Sequence, residues 1–472
     1  MPEDMKVDIC VIGAGSGGLS VAAGAVQMGA SVVLIEKGEM GGDCLNYGCV
    51  PSKALLAAAK AADAHRSSAK FGVASDEPEV DFAAVNAHVK GVIAAIAPHD
   101  SQERFEGLGC TVIRAPARFV GRTLVEAGGQ RIEARRIVIA TGSSPFVPPI
   151  DGLGDVPYFT NENIFDNTEL PRHLIVVGGG PIGLEMAQAH RRLGSEVTVL
   201  EGARALGKDD PDCAAIALDA LRGEGIDIRE GAMAERVSGG EGAVTVHLKG
   251  GGSVEGSYLL MAVGRKPNVE GLDLEKAGIA YDRGGIEVDA KLKTTNSRVY
   301  AIGDVTGGLQ FTHVAGYHAG IVIRSALFRM FWAKATTDHV PWVTYIEPEL
   351  AQVGMTEAQA REKWGSKVEV ATFEADETDR AVAERTGDGL IKAVLKGGKV
   401  VGASIVGKGA GEMIHLWALA ISKGLKVGDV AGYVAPYPTL GEASKRVAGS
   451  HFTPKLFSDR TRKVVRTLAK LG

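Results

Sequence analysis

Two stretches of this chain, VDICVIGAGSGGLSVAAGAVQMGASVVLIEKG and HLIVVGGGPIGLEMAQAHRRLGSEVTVLEGAR, repeat one pattern about 165 residues apart. In each, an apolar run enters a glycine cluster, a helical stretch follows, and a second apolar run ends on a glutamate. Gly13, Gly15 and Gly18 form the first cluster, and Gly178, Gly180 and Gly183 the second. Glycines here let the chain turn tightly from strand to helix. They also bare backbone N–H groups at a helix start, where a pyrophosphate binds. Pro181 suits a first helical turn. Glu36 and Glu201 each stand 18 residues past the third glycine, where a carboxylate can hold a ribose diol. Such a chain is expected to be α/β, with two Rossmann-like dinucleotide domains. Glu201 favours NADH, because a carboxylate repels the 2′-phosphate of NADPH, although Arg204 close by keeps NADPH open. Two dinucleotide sites in one chain point to electron transfer between them.

The bulk numbers fit that reading. At 472 residues the chain has room for two to four domains. Its 63 glycines suit many tight turns. A net charge of −5 gives no basic field for nucleic acid. No run of about 18 uncharged apolar residues suggests a transmembrane helix, and no secretory leader is visible. Five scattered cysteines, Cys10, Cys44, Cys49, Cys110 and Cys213, do not make an extracellular disulfide framework, so a cytoplasmic protein is expected. Cys10, Cys110 and Cys213 are expected to be structural.

Three further segments carry chemistry. RRIVIATGSSP reads as a buried strand entering a turn at Thr141 and Gly142. VYAIGDVTGG reads the same way and puts Asp304 at a strand end, where a carboxylate suits a ligand hydroxyl. GGDCLNYGCVPSK holds Cys44 and Cys49, five residues apart. On a regular helix their side chains would point roughly 140° apart. Bringing them together needs a distorted helix start, which Gly41, Gly42, Gly48 and Pro51 allow. A helix N-terminus also favours thiolate. The pair reads as a redox couple, with a two-cysteine metal site or two inert thiols as alternatives.

Taken in order, these motifs resemble the class I pyridine nucleotide–disulfide oxidoreductases over nearly the whole chain. YIEPELAQVGMTE, residues 345–357, resembles the start of their dimer-interface domain. The resemblance implies a glutathione-reductase-like fold: a FAD-binding domain over 1–150, an NAD(P)-binding domain over 151–270, a central segment over 271–338 completing the FAD domain, and an α+β dimerisation domain over 339–472. It implies FAD in the first cradle, with Asp304 on the ribityl chain, and NADH or NADPH in the second. Cys49 would be the thiolate against the flavin and Cys44 the thiol that meets substrate. Lys53 and Glu185 would pair near the flavin's reactive edge. A homodimer is implied, each active site completed by the partner's C-terminal domain.

One segment departs from the disulfide-reducing members. APYPTLGE, residues 435–442, keeps their Pro-Thr and Glu442 but has Tyr437 where they have a histidine base. An ordinary phenol titrates near 10 and an imidazole near 6.5, so Tyr437 is a weak base at neutral pH. The mercuric reductase branch resembles the chain here, and Tyr158 in VPYFTNENIF matches a second tyrosine of that branch. No cysteine follows Cys213, so a metal acceptor would have to reach Cys44 and Cys49 directly. The expected function is a FAD-dependent NAD(P)H reductase passing electrons through Cys44 and Cys49 to a thiol-bound acceptor. That acceptor is a metal ion, a small disulfide or another electrophile, and no structural metal is expected. A dihydrolipoyl dehydrogenase and a low-turnover flavin redox sensor are the alternatives. In the tail, SDRTRKVVRTLAKLG places Val464, Val465, Leu468 and Leu471 on one helical face amid five basic residues. A solvated helix packed on the protein surface is expected there, with a membrane-surface or partner contact as the alternative.

Overall fold

The computed structural model describes residues 4–74 and 76–471. The chain divides into two compact units, Met1–Gly179 with Met186–Gly202 and Ala232–Thr336, and Gly180–Glu185 with Ala203–Gly231 and Thr337–Gly472.

The first unit is built on β1 (Asp4–Ile12), α1 (Ser16–Gln27), β2 (Val32–Glu36), α2 (Gly42–Asn46) and α3 (Cys49–Ser67). Strands β3 (Thr111–Arg114), β4 (Ala117–Phe119), β5 (Leu124–Ala127) and β6 (Gln130–Ile139) follow. They form one sheet in the order β3-β2-β1-β6-β5-β4, and Val299–Ala301 pairs with β6. β1 runs parallel to β2 and β6, while β5 is antiparallel to β6. The apolar run of β1 is buried on both faces, as a covered parallel sheet requires. Ile9 and Val11 pack with α1 and with the helix Thr312–Ala326. Cys10 and Ile12 face Phe119, Val125 and Ile132 on the other side. Cys10, Cys110 and Cys213 all lie in the interior.

Small residues in α1 let it approach its neighbours closely. A Cβ on Gly24 would come within 2.4 Å of Ile323 Cδ1. The second βαβ element comprises His173–Val177, the helix Pro181–Leu193 and Glu196–Glu201. Its strands pair in parallel, and Tyr258–Met261 joins His173–Val177 on the other side.

The second unit carries a five-stranded antiparallel sheet, ordered Pro341–Thr344, Glu349–Gly354, Lys399–Gly407, Leu390–Lys396, Val368–Glu374. The helix Ala410–Lys423 covers it, with Trp417 in its core donating to Ser444 Oγ at 3.2 Å. Lys392 on this sheet is 3% exposed yet charged; Asp210 Oδ1, Asp212 Oδ2 and Glu357 Oε2 lie 2.9, 2.5 and 3.2 Å from its Nζ. Three carboxylates raise its pKa despite burial, which alone would lower it. Next to this cluster, Trp342 Nε1 donates to Asp209 Oδ1 at 2.7 Å.

The tail is helical over Thr453–Leu456 and Asp459–Leu468. Contrary to expectation, it is not packed by one face. Val464, Val465, Leu468 and Leu471 are all more than half exposed and join none of the hydrophobic clusters of the described residues.

Candidate active site

The glycines of both cradles divide into two kinds. Gly13 and Gly178 have φ of +104° and +119°. A Cβ on Gly13, Gly18 or Gly178 would meet a backbone oxygen at 2.4, 1.8 or 2.3 Å respectively. These three serve the chain's own packing. A Cβ on Gly15 would have nothing nearer than 3.9 Å, and one on Gly180 nothing within 4 Å. Open positions at the start of a helix are where a pyrophosphate approaches bare N–H groups, so both cradles fit a dinucleotide. Glu36 ends β2 and accepts from Ala14 N at 2.6 Å and Gly38 N at 2.7 Å. Glu201 accepts from Gly179 N at 2.8 Å. Each carboxylate is therefore held against its own glycine turn.

The cysteine segment is distorted as the glycines suggest. Gly41 and Gly42 have φ of +87° and +61°. α2 holds Cys44 and ends after one turn; α3 begins at Cys49. Gly48 joins them, and a Cβ there would lie 2.8 Å from Asp43 Oδ2 and 3.3 Å from Cys44 Cα. Only glycine lets the two turns close on each other. The thiols are free and hydrogen-bonded rather than joined. Donation from Cys44 lowers the Cys49 pKa from 9.0 to about 6, with help from Thr312 and from Lys53, and against the cost of burial. The Thr312 hydroxyl is 3.4 Å from Cys49 Sγ. Lys53 lies four residues along α3, one turn from the thiolate on the same side. Cys44 is driven the opposite way, first by its bond to Cys49 and then by burial. The two thiols are thus driven in opposite directions, Cys49 down and Cys44 up.

A polar chain braces this segment. Asn161 Nδ2 donates to Asp43 Oδ1 at 3.0 Å and to Tyr47 O at 3.2 Å. Arg265 Nη2 lies 2.9 Å from Asp43 Oδ1. Arg265 also donates to Ser143 Oγ and O, at 2.7 and 2.8 Å. Ser143 Oγ in turn donates to Asp304 Oδ2 at 2.6 Å. Burial raises the Asp304 pKa, and Ser143 and Arg265 oppose it. Thr141 Oγ1 donates to Asn268 O at 2.7 Å, and Asn268 N to Gly142 O at 3.0 Å. Sequence reading found Thr141, Gly142 and Asp304 but not Arg265, Asn161 or Thr312. The available signal for Arg265 was a charge straight after the apolar run YLLMAVG.

Tyr158 packs against the cluster of Ile175, Val177 and Leu259, three residues before Asn161. Glu185, Tyr437 and Glu442 belong to the second unit. Glu185 is buried and accepts from Tyr345 N at 3.0 Å. Tyr437 is 68% exposed and donates to Asp379 Oδ2 at 2.6 Å. That carboxylate raises the phenol's pKa. Glu442 is spoken for by Arg446, whose Nε lies 2.9 Å from its Oε1. Among the described residues no group of three or more His, Cys, Asp or Glu is arranged to hold a metal ion.

Two dinucleotide cradles and a poised thiol–thiolate couple define a flavin- and nicotinamide-dependent disulfide oxidoreductase. The chain belongs to the pyridine nucleotide-disulphide oxidoreductase family, which it matches over residues 7–319, with that family's dimerisation domain over 340–448. It is 37% identical to a mercuric reductase of Bacillus cereus over 445 residues, covering 93% of this chain and 70% of that one. It is 34% identical to a dihydrolipoyl dehydrogenase of Staphylococcus aureus over 464 residues, covering 94% and 96%. Among solved structures it resembles the HOCl-induced flavoprotein disulfide reductase RclA of Escherichia coli, with TM-score 0.83 and 31% identity, covering 94% of this chain and 99% of that one. A Cu(II) complex of RclA matches equally well. The expected family, glutathione-reductase-like α/β fold, enzyme class and use of FAD with NAD(P)H all stand.

Proposed function

We propose that this enzyme is an NADH-dependent reductase of a soft, thiol-binding acceptor, with a thiophilic metal ion such as Hg(II) or Cu(II) as its best substrate class. One observation carries the reading. Tyr437 stands where a base is needed for dithiol–disulfide relay, and its partner is Asp379, which keeps the phenol protonated. Glu442 is turned to Arg446 instead. Tyr437 is therefore a proton donor rather than an acceptor at neutral pH, and Glu442 is engaged by Arg446.

FAD, when bound, supplies a two-electron carrier between reduced nicotinamide and the Cys44–Cys49 couple. Residues 1–150 and 271–338 hold it in this reading, 151–270 hold the nicotinamide nucleotide, and 339–472 make the homodimer contact. Gly13, Gly15, Gly18, Glu36, Thr141, Gly142 and Asp304 are the FAD-side residues. Gly178, Gly180, Gly183 and Glu201 bind NADH, and the Glu201 carboxylate disfavours a 2′-phosphate. Cys49, held as thiolate by Cys44, Thr312 and Lys53, and Cys44 together take the metal as a bis-thiolate. By the family resemblance, Lys53 and Glu185 are assigned to the flavin's reactive edge. Tyr158 and the partner subunit's Tyr437 flank the acceptor with phenol donors. For mercury the balance is Hg(II) + NADH → Hg(0) + NAD⁺ + H⁺, which needs no general base. Similarity to mercuric reductases of several bacteria supports this reading. The cytoplasm, where NADH and reduced thiols coexist, is the expected compartment.

The test is anaerobic reduction with NADH, followed by Hg(II), Cu(II), lipoamide, glutathione disulfide or a quinone in turn. Fast reoxidation by a metal and slow reoxidation by lipoamide is expected, with Tyr437→His gaining lipoamide turnover. Fast lipoamide turnover in the unaltered enzyme would overturn the reading in favour of a dihydrolipoyl dehydrogenase. No reoxidation by any acceptor would favour a sensor.

A further inference from the structure

The tail helix is absorbed by nothing described so far. It lies beyond residue 448, where the match to the dimerisation domain ends. Its start is well specified: Ser458 accepts from Thr461 N at 3.3 Å, and Asp459 is the acid of the first turn. At 100° per residue, Val464, Val465, Leu468 and Leu471 fall within an arc of about 120°. They are 51%, 58%, 58% and 79% exposed, and Leu456 and Phe457 just before them are 57% and 66% exposed. A ten-residue helix is marginal in water unless its apolar face is covered.

Charge says what covers it. Arg462, Lys463, Arg466 and Lys470 lie on the side opposite the apolar arc, and Arg460 lies at its edge. Asp459 is the only acid in Asp459–Gly472, on a chain whose net charge is −5. A second copy of the helix would bring two cationic segments together. A narrow aliphatic arc backed by long basic side chains that can reach headgroups suits a lipid interface. No described helix is long and apolar enough to cross a membrane, so this one would lie on the surface.

We propose that Leu456–Leu471 is an amphipathic docking segment that holds the enzyme on anionic membrane surfaces. The apolar arc inserts at the headgroup–acyl boundary, and the basic side chains meet lipid phosphates. The inference is independent of which acceptor the enzyme reduces.

The test uses the full-length flavoprotein and vesicles of phosphatidylcholine, with or without phosphatidylglycerol, in sedimentation at about 0.1 M salt. Binding to anionic vesicles should exceed that to neutral ones by about tenfold or more. Val464→Asn with Leu468→Asn should lose about tenfold, and so should Arg462→Gln with Lys463→Gln and Arg466→Gln. Flavin content and NADH oxidation in solution should stay unchanged in both, which separates docking from folding. Equal binding to both vesicle types overturns the proposal. So does anionic binding that survives the Asn pair, because then only charge is acting. A mass change by light scattering in the Asn pair, without a change in vesicle binding, assigns the face to a second copy. Retention on polyglutamate without vesicle binding assigns it to an acidic protein.

Discussion

Replacing Cys44 by alanine should raise the pH at which Cys49 becomes a thiolate. Cys49 titrates at about 6 instead of 9.0, and the first cause is the hydrogen bond from Cys44. Near pH 7.5, a thiol of pKa about 6 is ~97% thiolate, whereas one of pKa about 9 is ~3%. The thiolate is the nucleophile, so that difference is read directly as reactivity. Thr312, Lys53 and the start of α3 remain in the variant, so the pKa should not return fully to 9.0. A rise of about one unit is expected, meaning about fivefold less thiolate at pH 6. The assay is anaerobic: reduced, desalted enzyme is pulsed with iodoacetamide across about pH 4.5–9.5, and modified Cys49 is counted by mass spectrometry. Cys44→Ser, which keeps a donor, should restore most of the shift. In Cys49→Ala, the Cys44 thiol should titrate lower than before, since Cys49 is the first cause of its rise. A Cys49 profile unchanged in Cys44→Ala, within about 0.3 unit, refutes the reasoning. It would mean that the helix start and Lys53 alone set the thiolate.

Asp379→Asn should lower the Tyr437 pKa toward the ordinary phenol value, seen in the ultraviolet difference spectrum of tyrosinate against Tyr437→Phe; no change would remove Asp379 as the phenol's partner. Lys392→Met should cost about 3–5 kcal/mol in urea unfolding, because buried Asp210 is left without its cation. Burial raises the Asp209 carboxyl from 3.8 to about 6, so its contribution to stability is present below pH 3.8 and lost as pH rises through about 6. Asp209→Asn should remove that fall, measured as urea midpoints between about pH 4 and 7 with Trp342 fluorescence as the probe. Gly42→Ala should lose flavin, judged by the ratio of absorbance at about 280 and 450 nm, because its Cβ would lie 2.7 Å from Gly15 Cα.

What the sequence made legible were features fixed by local backbone geometry. Gly13, Gly42 and Gly178 have positive φ and stand against a neighbouring backbone, so residue type there is dictated within a few positions. The Cys44–Cys49 distortion is of the same kind. The partners of the candidate residues come from far along the chain. Thr312 reaches Cys49 across 263 residues, and Asp379 reaches Tyr437 across 58. Neither short polar side chain carries a spacing that announces its partner, and only the completed sheets bring them into register. Glu442 shows the opposite case: its motif spacing is plain in the sequence, but Arg446 one helical turn on takes its carboxylate. In the tail, periodicity gave the helix and its faces, but not that the apolar face stays exposed.

The close approach of Gly42 to Gly15 has a consequence for how such enzymes diversify. Gly41 N donates to Ala14 O at 2.9 Å, and Gly15 and Gly41 bridge in parallel. The nucleotide turn and the thiol-bearing turn are joined backbone to backbone, with no side chain at the seam. Substitutions at Tyr158, Tyr437 or Asp379 leave that seam undisturbed. A recombination that replaced one turn and kept the other would still have to supply bare glycines on both sides. The two turns are therefore expected to travel through gene shuffling as one inherited block.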